Sequence, residues 1–125
     1  MKLLLDSHIL LWIFFDSRKL SRKIKNAVSN PRNTVCVSTV STWEIATKKN
    51  AGKLDIPDNF FDIIYNDKKY KFLLIEPKHI DYYISLPLRH KDPFDRMLVA
   101  QAKAEQLTLV TNDSNIELYD VAIFG

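Results

Sequence analysis

The amino-acid sequence predicts an α/β fold with a mainly parallel sheet of four to five strands, covered by helices on both faces. Three observations carry this. Short uncharged runs of strand type alternate with longer segments of helical spacing, in the order βαβααβααβ with a last strand at Val121 to Ile123. The run Leu107 to Thr111 carries no charge on either face, which suits a strand covered on both sides, as parallel sheets require. Four acids, Asp6, Glu44, Asp95 and Asp113, each follow the end of such a run or open the helix beyond it.

In chain order, Leu3 to Leu5 is the first strand and Asp6 stands at its end. From Ser7 to Phe15 the apolar residues are nearly continuous, so a helix packed deep against the sheet is expected, with His8 as a packed, hydrogen-bonded side chain. After the polar turn Asp16 to Leu20, Ser21 caps a helix over Arg22 to Ser29 whose stripe is Ile24, Ala27 and Val28. Asn30 to Asn33 breaks it, and Thr34 to Ser38 is the next strand. Ser41, Thr42, Trp43 and Glu44 have the form of a capping box that starts a helix ending near Ala51, with Gly52 as its stop. Leu54 to Pro57 leads into a helix over Asp58 to Asp67 carrying Phe60, Phe61, Ile63 and Ile64. That stripe is rich enough to suggest a share in a partner surface. Phe72 to Ile75 reads as a strand and Lys78 to Leu86 as a helix closed by Pro87. Asp92 then caps a helix with Pro93 at its first position and Asp95 at its third, and the strand Leu107 to Thr111 follows.

A chain of 125 residues suits one domain spanning 1–125, in which roughly two thirds of the unfolded chain's surface is buried. Hydrophobic residues at 46% and only 2 Gly argue against disorder and against linker-joined parts. Eighteen Lys and Arg against fifteen Asp and Glu leave +3, which permits a polyanionic partner. Cys36 is the single cysteine; it excludes an internal disulfide, fits a reducing compartment and suits core packing. Asp6 and His8 interrupt the apolar N-terminal stretch, and Ile9 to Phe15 is too short for a bilayer, so a cytoplasmic protein without a membrane segment is expected.

Acids at helix starts have an ordinary explanation, since they satisfy free N–H groups and complement the helix dipole. For Asp92 that explanation suffices. In open α/β sheets, however, ligands bind beyond the carboxyl ends of the strands, and Asp6, Glu44, Asp95 and Asp113 all fall there. Carboxylates are hard oxygen ligands suited to Mg²⁺ or Mn²⁺, and no Cys/His spacing for zinc is present. Such a site fits phosphodiester hydrolysis. Lys48, Lys49, Lys53, Arg89, Lys91 and Arg96 are candidate phosphate contacts beside it; for the lysines, a solvated helix end is the simpler account.

The segments LLLDSHILLWIFF, VSTVSTWEIATKKNAGKLDIP and HKDPFDRMLVAQAKAEQLTLVTND resemble the PIN-domain ribonucleases, most closely the VapC-type toxins of bacterial toxin–antitoxin pairs. The likeness runs over nearly the whole chain and implies a PIN-like fold. It matches Asp6, Glu44, Asp95 and Asp113 to the family's metal-binding acids, and Ser7 and Thr111 to small hydroxyl residues beside the metal. It implies a Mg²⁺- or Mn²⁺-dependent endoribonuclease acting on RNA, a homodimer, and inhibition by a VapB-like antitoxin. Asn115 stands where some members carry a further acid, with Glu117 as the nearest substitute. Two rivals from other classes are a catalytically silent PIN-like binding module, against which the four acids weigh, and a phospho-accepting receiver domain. The latter needs an Asp after the third strand, where Glu76 and Pro77 follow Ile75.

Overall fold

The computed structural model describes residues 1–125. Strand β1 (Lys2–Leu5) leads into α1 (Ser7–Phe14) and α2 (Arg22–Ser29); β2 (Thr34–Ser38) leads into α3 (Thr39–Asn50) and α4 (Phe60–Asn66). Then come β3 (Tyr70–Leu73), α5 (Pro77–Ser85), α6 (Pro93–Glu105), β4 (Thr108–Val110), a short helical turn (Ile116–Leu118) and β5 (Ile123–Phe124). The sheet order is β3-β2-β1-β4-β5 and every pairing is parallel.

The alternation of β1 separates two cores. Leu3 and Leu5 face Ile9, Leu10, Ile24, Val28, Ile45 and Phe60, while Leu4 faces Leu98, Val99, Leu109 and Ile116. Helices α1, α2 and α4 therefore cover one face and α6 the other, and each fully buried Leu contributes about 1.5–3 kcal/mol. Helix α3 supplies Ile45 to the first core and Val40 to the second, so it crosses the carboxyl edge of the sheet. Chain order runs outward from β1 through β2 to β3 on one side and resumes with β4 on the other. The carboxyl ends of β1 and β4 thus form the topological switch point, where an open α/β sheet leaves a crevice.

Local signals give the expected element ends at two helices. Ser21 accepts the Ile24 N–H at 3.2 Å, and Asp92 accepts those of Phe94 and Asp95 at 2.8 and 3.2 Å. Elsewhere the structure departs from expectation. No capping box forms at Ser41: α3 starts at Thr39, directly after β2, and Ser38 caps it through the Val40 N–H at 3.0 Å. Glu44 consequently lies beyond the first turn, where a helix has no free N–H for it to satisfy. Strand β3 begins two residues early, because pairing with β2 aligns Tyr70 with Val35 and ends at Leu73. Phe60 and Ile64 are buried in the first core and Phe61 packs against it, so the α4 stripe is mainly core and only Ile63 is well exposed. No helix is long and apolar enough to cross a membrane.

Candidate active site

Asp6 is placed by the sheet. Its N–H donates to Val110 O at 3.0 Å, which fixes it between the ends of β1 and β4, and only 2% of the residue is exposed. The Thr111 hydroxyl donates to Asp6 Oδ2 at 2.8 Å. Ser7 has one hydroxyl proton; at 2.8 Å from Glu44 Oε1 and 3.4 Å from Asp6 Oδ1, it donates chiefly to Glu44. The small hydroxyl residues thus tie the acids down, Ser7 at the start of α1 holding Glu44 on α3 and Thr111 just past β4 holding Asp6 just past β1.

Glu44 is 3% exposed, and its other oxygen, Oε2, accepts from Lys48 Nζ at 2.8 Å one helical turn on. Asp95 is 6% exposed in the first turn of α6, with Oδ2 2.9 Å from His90 Nε2. Asp113 is half-buried. Its N–H donates to Thr111 Oγ1 at 3.0 Å and its Oδ1 accepts the Asn115 N–H at 2.9 Å. It lines a cleft of ≈ 210 Å³ together with Asp6, His8, Ile9, Trp12 and Asn112.

Burial raises the pKa of Asp6 above the usual carboxylate range, against the Thr111 hydrogen bond and His8; the charge of Glu44 raises it further. Asp95 is pushed up to about 7, first by burial, with His90 opposing and the charges of Asp92, Asp6 and Glu44 adding to it. Burial works to lower Lys48, but Glu44, Asp92 and Asp95 outweigh it and hold its ammonium protonated more firmly than usual. Asp6, Glu44 and Asp95 therefore feel one another's charge, with Lys48 and His90 as the cations or donors directly on them. Asp113 is joined to Asp6 through Thr111 and the cleft, on its more open side. Oxygen donors are what a hard divalent cation takes, but no three of the four acids present ligand atoms within 4.8 Å of one another.

Two histidines stand at this site: His8, expected to pack in the core, and His90, which sequence reasoning missed. His8 is exposed, because Ser7, Ile9 and Leu10 are the residues of α1 turned inward, and it lines the cleft instead of packing in the core. His90 lies five residues before Asp95 in the loop ahead of α6, a position that no local pattern marks. His90, Asp92 and Asp95 each present a ligand atom, all within 4.8 Å of one another. Asp92 nevertheless serves as the helix cap.

A second grouping, Glu76, His79 and Glu105, is structural. His79 Nδ1 accepts the Glu76 N–H at 3.0 Å, so a neutral ring carries its proton on Nε2, which points at Glu105 Oε1 3.1 Å away. That proton stands where a metal would need a lone pair. Lys78 Nζ, at 2.8 Å, completes the neutralisation of Glu105.

Among the basic candidates, Arg96 departs from expectation. It is 7% exposed and turned inward, with its guanidinium donating to Pro87 O, Tyr119 Oη and Tyr83 O at 3.0, 2.9 and 3.5 Å. It lies on the Tyr83 ring at 4.9 Å, so it ties α6 to its neighbours, and its burial keeps it from phosphate. Lys49 Nζ donates to Ile56 O at 2.7 Å and sits 3.5 Å from Asp58, whereas Lys53, Arg89 and Lys91 are exposed.

A parallel five-stranded sheet with buried carboxylates beside its switch point defines an α/β domain with an acid-centred cleft. The chain belongs to the PIN domain family, whose model matches residues 3–122. No curated protein matches it in sequence. Its fold is similar to that of Rickettsia felis VapBC2, solved bound to a DNA fragment from their promoter (TM-score 0.74, 18% identity, 99% of this chain and 98% of that one). It is likewise similar to DNA-bound VapBC from Salmonella typhimurium (0.70, 17%, 99% and 97%) and to a toxin-antitoxin complex from Klebsiella pneumoniae (0.63, 17%, 98% and 95%).

Proposed function

We propose that this protein is a VapC-type toxin, a Mg²⁺- or Mn²⁺-dependent endoribonuclease held inactive by a VapB-like antitoxin. The observation that carries the proposal is the burial of Asp6, Glu44 and Asp95, brought from three separate elements to one edge of the sheet. Carboxylates are costly to bury, and the side chains of these three cap no helix: Ser21, Ser38 and Asp92 fill that role at α2, α3 and α6.

In this proposal Asp6, Glu44, Asp95 and Asp113 are the metal-holding acids. A bound divalent ion supplies charge neutralisation at phosphate and a more acidic water. The residues of the chain do the positioning. Thr111 and Ser7 each hold one carboxylate oxygen in place, Oδ2 of Asp6 and Oε1 of Glu44. Lys48 pairs with Glu44, and together with the exposed Lys53, Arg89 and Lys91 it offers positive charge to the RNA backbone; Lys49 remains a weaker candidate. Partner surfaces are proposed at two places. The exposed Ile80, Ile84 and Leu88, on and just past α5, suit a homodimer, and Trp43 with Phe61 and Tyr65 lines a cleft of ≈ 270 Å³ suited to an apolar antitoxin segment.

The test is cleavage of cellular RNA by antitoxin-free protein. Cleavage is expected with Mg²⁺ or Mn²⁺, none in excess EDTA, and none by Asp6→Asn or Asp95→Asn. Full cleavage in EDTA overturns the metal mechanism. A folded protein that binds RNA but never cuts it supports the binding-module alternative.

A further inference from the structure

The buried Arg96 and the C-terminal Tyr119 form a chain of hydrogen bonds that ends on Asp95. One Arg96 terminal nitrogen donates one proton to Pro87 O and the other to Tyr119 Oη, at 3.0 and 2.9 Å. Since the Tyr119 oxygen accepts from Arg96, its own proton is free to be donated, and it goes to His90 O at 3.2 Å. Tyr119 is 4% exposed, so this bond is shielded from water. The backbone of His90 is thereby anchored, and its ring places Nε2 at 2.9 Å from Asp95 Oδ2. The segment between α5 and α6 otherwise has few ties: within it the backbone bond is Arg89 N–H to Pro87 O at 3.0 Å.

We propose that Tyr119 is a positioning residue for Asp95, acting through His90. The hydroxyl holds the loop that carries the imidazole, the imidazole takes Oδ2, and Oδ1, which accepts no hydrogen bond, is left for a divalent ion. This rests on the metal-nuclease proposal. It assigns a role at the site to a residue that follows the last acid by six positions and touches none of the four acids. Ligand-orienting hydrogen bonds of this kind are worth about 10–100-fold in metal affinity or activity.

Tyr119→Phe removes the hydroxyl alone. Arg96 keeps its bond to Pro87 O, and the ring keeps its place in the core. In calorimetric titration of the full chain with Mn²⁺, Tyr119→Phe and His90→Ala are each expected to weaken binding roughly tenfold, at the low end of that range. The double variant should bind no more weakly than His90→Ala, because Tyr119 has no effect left once the imidazole is gone. Unchanged affinity in Tyr119→Phe overturns the proposal. So does a further loss in the double variant, which would mark general loosening of the core.

A metal-free measurement separates this from the nuclease proposal. The imidazole ¹⁵N resonances of His90 in Tyr119→Phe should move toward those seen in Asp95→Asn. If wild-type protein binds no Mn²⁺, the nuclease proposal fails by itself. Unmoved His90 resonances then overturn the link between Tyr119 and Asp95 as well, while shifted ones retain it as a structural tie.

Discussion

The Thr111 hydroxyl and Asp6 Oδ2 meet at 2.8 Å across a sequence separation of 105 residues, at the junction of β1 and β4. The same hydroxyl oxygen accepts the Asp113 N–H, so a single side chain sets two of the four acids. Replacing Thr111 by Val keeps the shape and removes both bonds. With hydrogen bonds to charged groups worth ~1.5–3 kcal/mol, a loss of about 2 kcal/mol in metal-free urea unfolding is expected near neutral pH, with Thr111→Ser recovering most of it. Equal stability of the Val variant would show that Asp6 is held by the backbone alone.

The raised pKa of Asp95 gives stability a definite pH dependence. Between the ordinary aspartate value of 3.8 and about 7 the folded protein holds a proton that the unfolded chain has lost. Metal-free stability therefore falls as pH rises through that window and levels off above it. A tenfold difference in proton affinity corresponds to about 1.4 kcal/mol, and solvent screening reduces the total, so ~2 kcal/mol is expected. Asp6 adds in the same direction. Unfolding measured from pH 4 to pH 8 should show a shallower decline for Asp95→Asn than for wild type; parallel curves would mean that Asp95 takes up no extra proton on folding.

Removing the charge of Asp95 should also reverse the usual sign of a mutational effect. Asp95→Asn is expected to melt higher than wild type without metal, by a few degrees for each kcal/mol of repulsion relieved. Mg²⁺ should raise the melting temperature of the wild type more than that of the variant, since the intact site gains more from binding. A lower metal-free melting temperature, together with no response to Mg²⁺ in either protein, would make the acid structural.

The basic residues separate into two kinds. Combined Lys48→Gln, Lys49→Gln and Lys53→Gln should flatten the salt dependence of RNA binding, by a slope of about 0.7 for each single-strand phosphate contact removed. Arg96→Gln should leave the slope of the folded fraction unchanged but cost roughly 2–4 kcal/mol in unfolding, as buried carbonyls and Tyr119 lose their donor. A flattened slope in Arg96→Gln would place the guanidinium on RNA after all.

Sequence by itself determined the elements whose signals are local. The helix Arg22–Ser29 behind Ser21, the strand Thr34–Ser38 and the helix opened by Asp92 and Pro93 lie where their residues predict, because a cap or a strand run acts within a few neighbouring residues. The four acids were visible in the same way, each as the residue that ends an apolar run or opens the helix beyond it. What each acid or base faces was decided by tertiary structure alone. Glu44 had the spacing of a capping-box residue, yet the direct passage from β2 into α3 moved the helix start to Thr39 and left its carboxylate to Ser7 and Lys48. Arg96 looked like a surface cation, and His8 like a core residue. The stacking of α6 on Tyr83 and Tyr119 turned the first inward, and the docking of α1 through Ile9 and Leu10 turned the second out. Periodicity defines a stripe on a helix, but the direction that stripe faces depends on partners distant in the chain, so the contacts of Asp95 with His90 and of Asp6 with Thr111 exist only once the sheet has closed.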